Sequence, residues 1–259
     1  MLDDFHSDDP ADYLAGFPWH PHRGIETITY VIHGLIEHRD SMGNQGVIGS
    51  GDVQWMTAGS GIIHQEMPRA DAEGSASGAS VDNGRLLWGL QLWANLPADR
   101  KMMAPRYQEI RSADIPRVEL EGGILVRVVC GEVAGVQGPV RDIITEPEYL
   151  DVSVPVGSTF RRPVPRSHNA FAYVAAGNGR FSPEDSTVVG VENAVLFGEG
   201  DEVVVTCADE PLRFMLISGR PLREPIAWEG PIVMNSREEL QQAFREYYDG
   251  TFIKADAET

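Results

Sequence analysis

Positive charge is scarce in this chain. Its 259 residues include 21 Lys and Arg against 39 Asp and Glu, which gives a formal net charge of −18. Surfaces that bind nucleic acid or anionic membranes need clustered Lys and Arg, so the composition argues against direct binding to either.

The chain also lacks long apolar runs and cysteine patterns. No stretch of about eighteen apolar residues occurs, and residues 1–5 lack the basic and apolar regions of a signal peptide. The two cysteines, Cys130 and Cys207, stand alone without CxxC spacing, as is typical of reduced thiols. These features predict a soluble cytoplasmic protein. The absence of phosphate-loop, dinucleotide-binding and GxSxG patterns argues against the common nucleotide-binding and acyl-transfer classes.

Short segments rich in Val, Ile, Thr, Tyr and Trp alternate with Gly, Asn, Asp and Pro. Many short strands separated by turn residues are typical of all-β sandwiches and barrels. The predicted strands cover residues 26–32, 51–56, 86–93, 124–129, 149–154, 170–174, 202–206 and 212–217. Helical periodicity is convincing only near the end, where a capping box at residues 236–239 precedes apolar positions 240, 243, 244 and 247.

The second half of the sequence echoes the first. Residues 157–177 resemble the strand–turn–strand pattern of residues 16–34, and residues 198–203 resemble residues 49–53. We therefore predict two tandem β-barrels, at residues 1–130 and 139–259, with a linker at 131–138 and the helix in the second part. The small, polar residues 68–84 are predicted to form a surface loop.

Two short pairs carry the functional signal: His20-Pro21-His22 and His64-Gln65-Glu66. Residues i and i+2 of a strand point to the same side, so each pair can direct two donor atoms into one space. Three imidazoles and a carboxylate suit a divalent first-row metal, and they leave coordination positions open for a reaction. His168, in the second half, has no such partner, so only the first barrel can hold a metal in this manner.

The order HPHRGIE (20–26), Gly34, GDV (51–53), Gly59 and His64 resembles the two motifs of cupin barrels. More narrowly, the chain resembles the pirin family of double cupins. The resemblance rests on HPHRGIETITYVIHG (20–34), GDVQWMTAGSGIIHQEMP (51–68), GLQLWANLP (89–97), EYLDVSVPVG (148–157), LISGRPLREPI (216–226) and GPIVMNSREELQQAF (230–244).

The resemblance implies two jelly-roll barrels with one divalent metal ion, usually iron(II), in the first barrel only. Nickel, copper, manganese and zinc remain chemically open. Matched by position, His20, His22, His64 and Glu66 fall on the family's metal ligands. Many cupins instead take their carboxylate from the slot that Glu26 occupies. Glu26 is therefore the alternative carboxylate ligand. If Glu66 is the ligand instead, Glu26 is expected to orient a histidine through a hydrogen bond.

Some pirins oxidise the flavonol quercetin as 2,3-dioxygenases, and others act as transcriptional coregulators. The resemblance therefore favours a dioxygenase that acts on a planar phenolic compound and dioxygen, with Glu66 as a general base. The alternatives are a redox-sensing regulator that binds a protein partner through its metal state, and a barrel that uses the ion only for stability. Trp19, Trp55, Trp88 and Trp93 are candidates to line a substrate pocket, with a core role as the alternative.

Three departures from the family pattern qualify this expectation. Family members normally carry a few dozen residues before the position of Met1, so the first barrel is expected to lack early strands or the start to have been assigned too late. The loop at residues 68–84 is longer than is common. His33 stands where Glu is frequent.

The remaining polar candidates have simpler expected roles. Gln91 is expected either to bond a metal-bound water or to be a core amide. His6, His38 and His168 are interpreted as isolated surface or turn residues.

Overall fold

Antiparallel strands form most of the elements in the computed structural model, which describes residues 1–69, 86–145 and 147–254. Contacts group the chain into two compact units. The first contains Met1–Ser112 and Arg223–Thr259, and the second contains Ala113–Leu222. No helix within the described ranges has the length and apolar character needed to cross a bilayer.

The first unit is built from two antiparallel sheets. One sheet has the strand order β1-β8-β3-β6-β9 and the other has the order β2-β7-β4-β5. A short helix, α1 (Pro10–Tyr13), follows the first strand. The strands are β1 (Leu2–Ser7), β2 (Phe17–His22), β3 (Ile25–His33), β4 (Leu35–Asp40), β5 (Gln45–Gly49), β6 (Val53–Thr57), β7 (Ile62–Arg69), β8 (Leu87–Asn95) and β9 (Arg106–Ile110).

Alternating side chains explain how these strands pack. On β7, residues 62, 64, 66 and 68 are buried while the residues between them are less so, which is the period of two expected for a strand with one face inward. β3 is buried along most of its length because it is the central strand of its five-stranded sheet. Val31, Ile36, Ile48 and Leu87 form one apolar cluster of this unit.

The second unit also consists of antiparallel sheets, with strand orders β10-β11-β14-β20-β16-β18, β15-β19-β17 and β12-β13. Its core includes Phe160, Phe214 and Leu216, each at most 1% exposed. The strands are β10 (Arg117–Leu120), β11 (Ile124–Cys130), β12 (Glu132–Val133), β13 (Val136–Gln137), β14 (Glu148–Val154), β15 (Thr159–Pro163), β16 (Asn169–Ala176), β17 (Gly179–Arg180), β18 (Ala194–Leu196), β19 (Glu202–Cys207) and β20 (Leu212–Gly219).

The C-terminal segment belongs to the first unit. It contains the hairpin of β21 (Ala227–Glu229) and β22 (Ile232–Met234), followed by α2 (Arg237–Tyr248). The predicted capping box is present, since the Ser236 side chain accepts from the Glu239 N–H and the Glu239 carboxylate accepts from the Ser236 N–H. Leu240 and Ala243 of this helix pack with Ile232, Met234 and Phe252.

The all-β prediction with a C-terminal helix is confirmed, and each of the eight predicted strands overlaps an observed one. The grouping of contacts differs from the predicted division at residues 131–138. Strands β10 and β11 pair onward to β14, which places residues 113–130 in the second unit, whereas residues 223–259 return to the first. The proposed linker contains the small β12–β13 hairpin. The predicted loop at residues 68–84 lies outside the described residues from position 70 onward; positions 68 and 69 end β7.

Candidate metal centre

Strands β2 and β7 bring the three predicted histidines together. These strands are antiparallel neighbours, and their register places His20 directly opposite His64. His22 lies two residues along β2, on the same side as His20. One ring nitrogen from each of the three histidines lies within 4.8 Å of the others, and the Nε2 atoms of His20 and His22 are 3.1 Å apart.

Backbone carbonyls fix the orientation of two of these rings. The Nδ1 atom of His20 lies 2.9 Å from the carbonyl oxygen of Pro18, and Nδ1 of His22 lies 2.9 Å from that of Pro231. A carbonyl oxygen only accepts hydrogen bonds, so each Nδ1 must carry the proton. When both rings are neutral, the two Nε2 atoms therefore present lone pairs to each other. Two facing lone pairs need a shared cation or proton between them, and metal coordination satisfies that need.

His64 completes the nitrogen set. Its ring is fully buried, and neither ring nitrogen has a hydrogen-bond partner within the described part of the chain. Burial, with smaller contributions from His64 and His20, lowers the pKa of His22 to about 3. Burial is also the main cause that lowers the pKa of His64 well below its usual value. Both side chains are thus neutral near pH 7, which is the form that coordinates metals.

Glu66 lies on the same strand as His64 and on the same wall of the site. It is 3% exposed, and its Oε1 accepts a hydrogen bond of 3.0 Å from the Thr29 hydroxyl. Its Oε2 accepts a bond of 2.9 Å from Nε2 of Gln91, whose own Oε1 accepts from the Trp93 indole. The carboxylate is not part of the group whose ligand atoms lie within 4.8 Å of one another. Its membership of the ligand set stays a prediction.

Glu26 lies elsewhere. Its Oε1 accepts from the Thr57 hydroxyl at 2.7 Å, it also bonds Trp55, and burial raises its pKa. Glu26 and Thr29 are three residues apart on β3, so they point to opposite faces of the sheet. Because Thr29 contacts Glu66, Glu26 points away from the histidines. Its recorded hydrogen bonds go to Thr57 and Trp55, which does not support the histidine-orienting role considered for it.

Two of the histidines, His20 and His22, line a cavity of about 610 Å³. Two of the four candidate tryptophans, Trp19 and Trp93, line this cavity, whereas Trp55 is 1% exposed in the core and the Trp88 indole donates to Asp4. A cavity of this volume with a mainly apolar lining is typical of small-molecule sites. Its lining residues are Asp3, Asp4, Phe5, Phe17, Pro18, Trp19, His20, His22, Glu66, Gln91, Trp93 and Pro231.

Comparison with known proteins decides the family. A model of the pirin family matches residues 1–94, and a model of the pirin C-terminal cupin domain matches residues 149–253. A pirin-like protein from Caulobacter vibrioides is 43% identical over 253 residues, which is 97% of this chain and 86% of the relative. The chain belongs to the pirin family.

Solved structures agree with this assignment. The structure of a quercetin 2,3-dioxygenase from Acinetobacter baumannii superposes with a TM-score of 0.79 at 35% identity, and the match covers 92% of this chain and 79% of that one. The Escherichia coli pirin YhhW in complex with nickel(II) has a TM-score of 0.61 at 20% identity, over 85% and 81% of the two chains. The second likeness concerns the fold alone. The prediction of a double cupin of the pirin type is confirmed.

One residue of this pirin was interpreted wrongly from the sequence. His38 was expected to be an isolated surface or turn residue, yet it is fully buried on β4. Its ring stacks on Tyr107, with centroids 5.1 Å apart, and lies 5.6 Å from the His64 ring. Its Nε2 is 3.4 Å from Oδ2 of Asp40. Residues 35–40 were not predicted to form a strand, so the buried face of β4 that Ile36, His38 and Asp40 share was not expected.

Proposed function

We propose that this pirin is a metal-dependent dioxygenase that acts on a flavonol or a related planar phenol. The observation that supports this most is the convergence of three imidazoles, two of which, His20 and His22, line a cavity that also contains aromatic side chains. The proposed ligands are His20, His22, His64 and Glu66, and the ion is a divalent first-row metal such as iron(II). When bound, such an ion supplies Lewis-acid and redox chemistry toward a phenol and dioxygen.

The cavity supports a planar aromatic substrate. Phe17, Trp19 and Trp93 line it, and aromatic rings pack favourably in offset or edge-to-face contacts. Trp93 also makes an edge contact with the His22 ring, with centroids 5.0 Å apart. A substrate ring held beside Trp93 would therefore lie next to a proposed ligand.

Glu66 is the proposed proton acceptor for a substrate hydroxyl. It lines the cavity, and both of its oxygens accept hydrogen bonds, from Thr29 and Gln91. The orientation of the Gln91 amide is fixed, because the Trp93 indole can only donate and must face the amide oxygen. Gln91 consequently offers its N–H₂ group to Glu66, so this network holds the carboxylate in place for the proton transfer.

The charge of the cavity favours an uncharged substrate. Asp3 and Asp4 line it together with Glu66, and none of its described lining residues is Lys or Arg. An anionic substituent near these carboxylates would cost roughly 1 kcal/mol, or about a fivefold loss of affinity, at solvent-exposed positions. Because a divalent ion would offset this charge, the comparison uses metal-free protein, where quercetin should bind better than its ring-sulfonated derivative, as measured by quenching of tryptophan fluorescence. Asp3→Asn should reduce the difference, and equal affinities in the unmodified protein would contradict this charge argument.

The activity is tested with protein loaded separately with iron, nickel, copper, manganese or zinc. Loss of the visible quercetin band is followed in air and under nitrogen, together with oxygen uptake. We expect oxygen-dependent loss with at least one metal, and a large reduction in His64→Ala and Glu66→Gln. His168→Ala, a histidine of the second unit, is the matched control and should retain activity. The proposal fails if no metal supports oxygen-dependent loss.

A further inference from the structure

The C-terminal segment of the chain contacts the first metal motif directly. The Pro231 carbonyl that accepts from Nδ1 of His22 lies 209 residues away in sequence. By contrast, the Pro18 carbonyl that accepts from His20 is only two residues from it. The orientation of His20 is thus secured locally, whereas that of His22 depends on residues 231–234, which we call the return strand.

Backbone contacts seat the return strand beside residues 22–24. The Val233 N–H donates to the Arg23 carbonyl at 3.1 Å, and Arg23 and Ile232 form a parallel bridge. Gly24 adopts a φ of +77°, and a Cβ at this position would lie 2.0 Å from the Val233 carbonyl oxygen. The strand therefore packs against the turn that follows His22, with no room for a side chain between them.

A buried lysine joins the same segments. Lys101 is 1% exposed, and its Nζ donates to the carbonyls of Gly24 and Val233, each at 2.9 Å, and to Oδ1 of Asn95 at 2.6 Å. The three acceptors match the three N–H groups of an ammonium. Without this side chain, the Gly24 and Val233 carbonyls would lose a donor in a buried place, which is costly.

Arg23 also contacts α2 and the segment that follows it. It is 2% exposed, its Nη2 donates to the Phe252 carbonyl at 3.0 Å, and its Nη1 lies 2.8 Å from Glu246 on α2. Its guanidinium also lies 4.3 Å from the centre of the Phe252 ring. The residue next to His22 thus holds both the helix and the segment that follows it.

We propose that the return strand is a positioning element of the metal centre, and that Lys101 is the positioning residue that holds it in place. The Pro231 carbonyl selects the Nδ1–H tautomer of His22 and sets its ring plane, so Nε2 faces the ion. This inference rests on the ligand set given under the proposed function. By reciprocity, metal binding also strengthens the seating of the return strand. Partners that orient ligating histidines are typically worth roughly 10–100-fold in metal affinity.

The test compares the unmodified protein with Lys101→Met, which keeps an apolar chain of similar length but removes the donors. Metal affinity is measured by competition with a chromogenic chelator. We expect it to fall by roughly 10–100-fold in Lys101→Met. Ile48→Val, a truncation in the separate cluster of β3, β4 and β5, is the control for lost stability and should leave affinity unchanged. A second readout is the ¹⁵N NMR signature of the His22 ring in metal-free protein, which should change from a single Nδ1–H tautomer to a mixture in Lys101→Met.

The outcomes separate this inference from the ligand assignment. If His22→Ala binds metal as well as the unmodified protein, the ligand set is wrong. If His22→Ala loses the metal while Lys101→Met keeps its affinity and the single His22 tautomer, the positioning role is overturned alone. If Lys101→Met does not fold, Pro231→Gly provides the same comparison, because it retains the carbonyl but frees its backbone. Unchanged affinity and tautomer in Pro231→Gly would then overturn the proposal.

Discussion

Neutralising Glu246 should destabilise the first unit in a way that depends on pH. Burial alone would raise the pKa of this carboxyl group. Ion pairs with Lys254 and Arg23, together with a hydrogen bond from Gln242, outweigh that effect and lower the pKa to about 2. One carboxylate oxygen of Glu246 lies 2.8 Å from Arg23 and 2.7 Å from Lys254. The charged form is therefore favoured in the folded protein.

The size of this stabilisation follows from the pKa shift of Glu246. A pKa lowered from 4.5 to about 2 corresponds to about 3 kcal/mol of stabilisation at neutral pH. The Glu246 side chain is 17% exposed, so solvent screening reduces this figure to roughly 2–3 kcal/mol. Because the folded pKa is depressed, the contribution is present above pH 4.5 and is lost as the pH falls toward 2. At about pH 3.5, about 1.4 kcal/mol of it should already be gone.

Tryptophan fluorescence is a suitable probe because all five tryptophans lie in the first unit. In urea unfolding at pH 7, Glu246→Gln should be less stable than the unmodified protein by roughly 2–3 kcal/mol. The difference between the two proteins in free energy of unfolding should be smaller near pH 3.5. Glu238→Gln makes the same substitution at an exposed position of α2 and should cost at most about 1 kcal/mol. A gap of equal size at both pH values would refute the electrostatic reasoning and point to lost packing.

Three further outcomes are expected. His64→Ala should lose bound metal, measured by elemental analysis, while its circular dichroism stays unchanged; retention of stoichiometric metal would contradict the ligand role. Gln91→Leu removes a donor to a buried carboxylate and leaves the Trp93 indole without its acceptor, so it should destabilise the first unit by roughly 1.5–3 kcal/mol and reduce quercetin turnover. Stripping the metal should lower the midpoint of the fluorescence-detected thermal transition, because free metal at about 100 times its Kd contributes about 2.7 kcal/mol; an unchanged midpoint would argue against a bound ion.

The sequence predicted the parts of this site that depend on local geometry. The i, i+2 rule placed His20 beside His22, and the structure puts both on one side of β2. The same rule decides against Glu26, whose odd spacing from Thr29 turns it to the other face of β3. That parity can be counted from the sequence, but the contact between Thr29 and Glu66 that relates it to the site joins two different strands and is seen only in the structure. The burial of His38 was missed because residues 35–40 were not among the predicted strands.

The pairing of strands that are far apart in sequence could not be predicted from local sequence patterns. Nothing in the local sequence fixes the register that sets His20 opposite His64, since that depends on how two strands more than forty residues apart align. The return strand is a stronger example. Its contribution to His22 is a backbone carbonyl, a group that every residue possesses, so no residue type marks it. The grouping of residues 223–259 with the first unit likewise depends on contacts between segments far apart in sequence, which no local pattern marks.

Because some contacts are local and others are long-range, the HxH and HxE motifs determine only part of a metal centre. The motifs specify which atoms can bind the ion, but the tautomer and ring plane of His22 depend on Pro231. The position of Pro231 depends in turn on the contacts of Val233 with the Lys101 side chain and the Arg23 carbonyl. Two chains with identical motifs would then differ in metal affinity if their C-terminal segments packed differently against the turn that follows His22. Metal affinity in this pirin should accordingly respond to substitutions on a segment that contributes no ligand, which a site defined by four side chains alone would not predict.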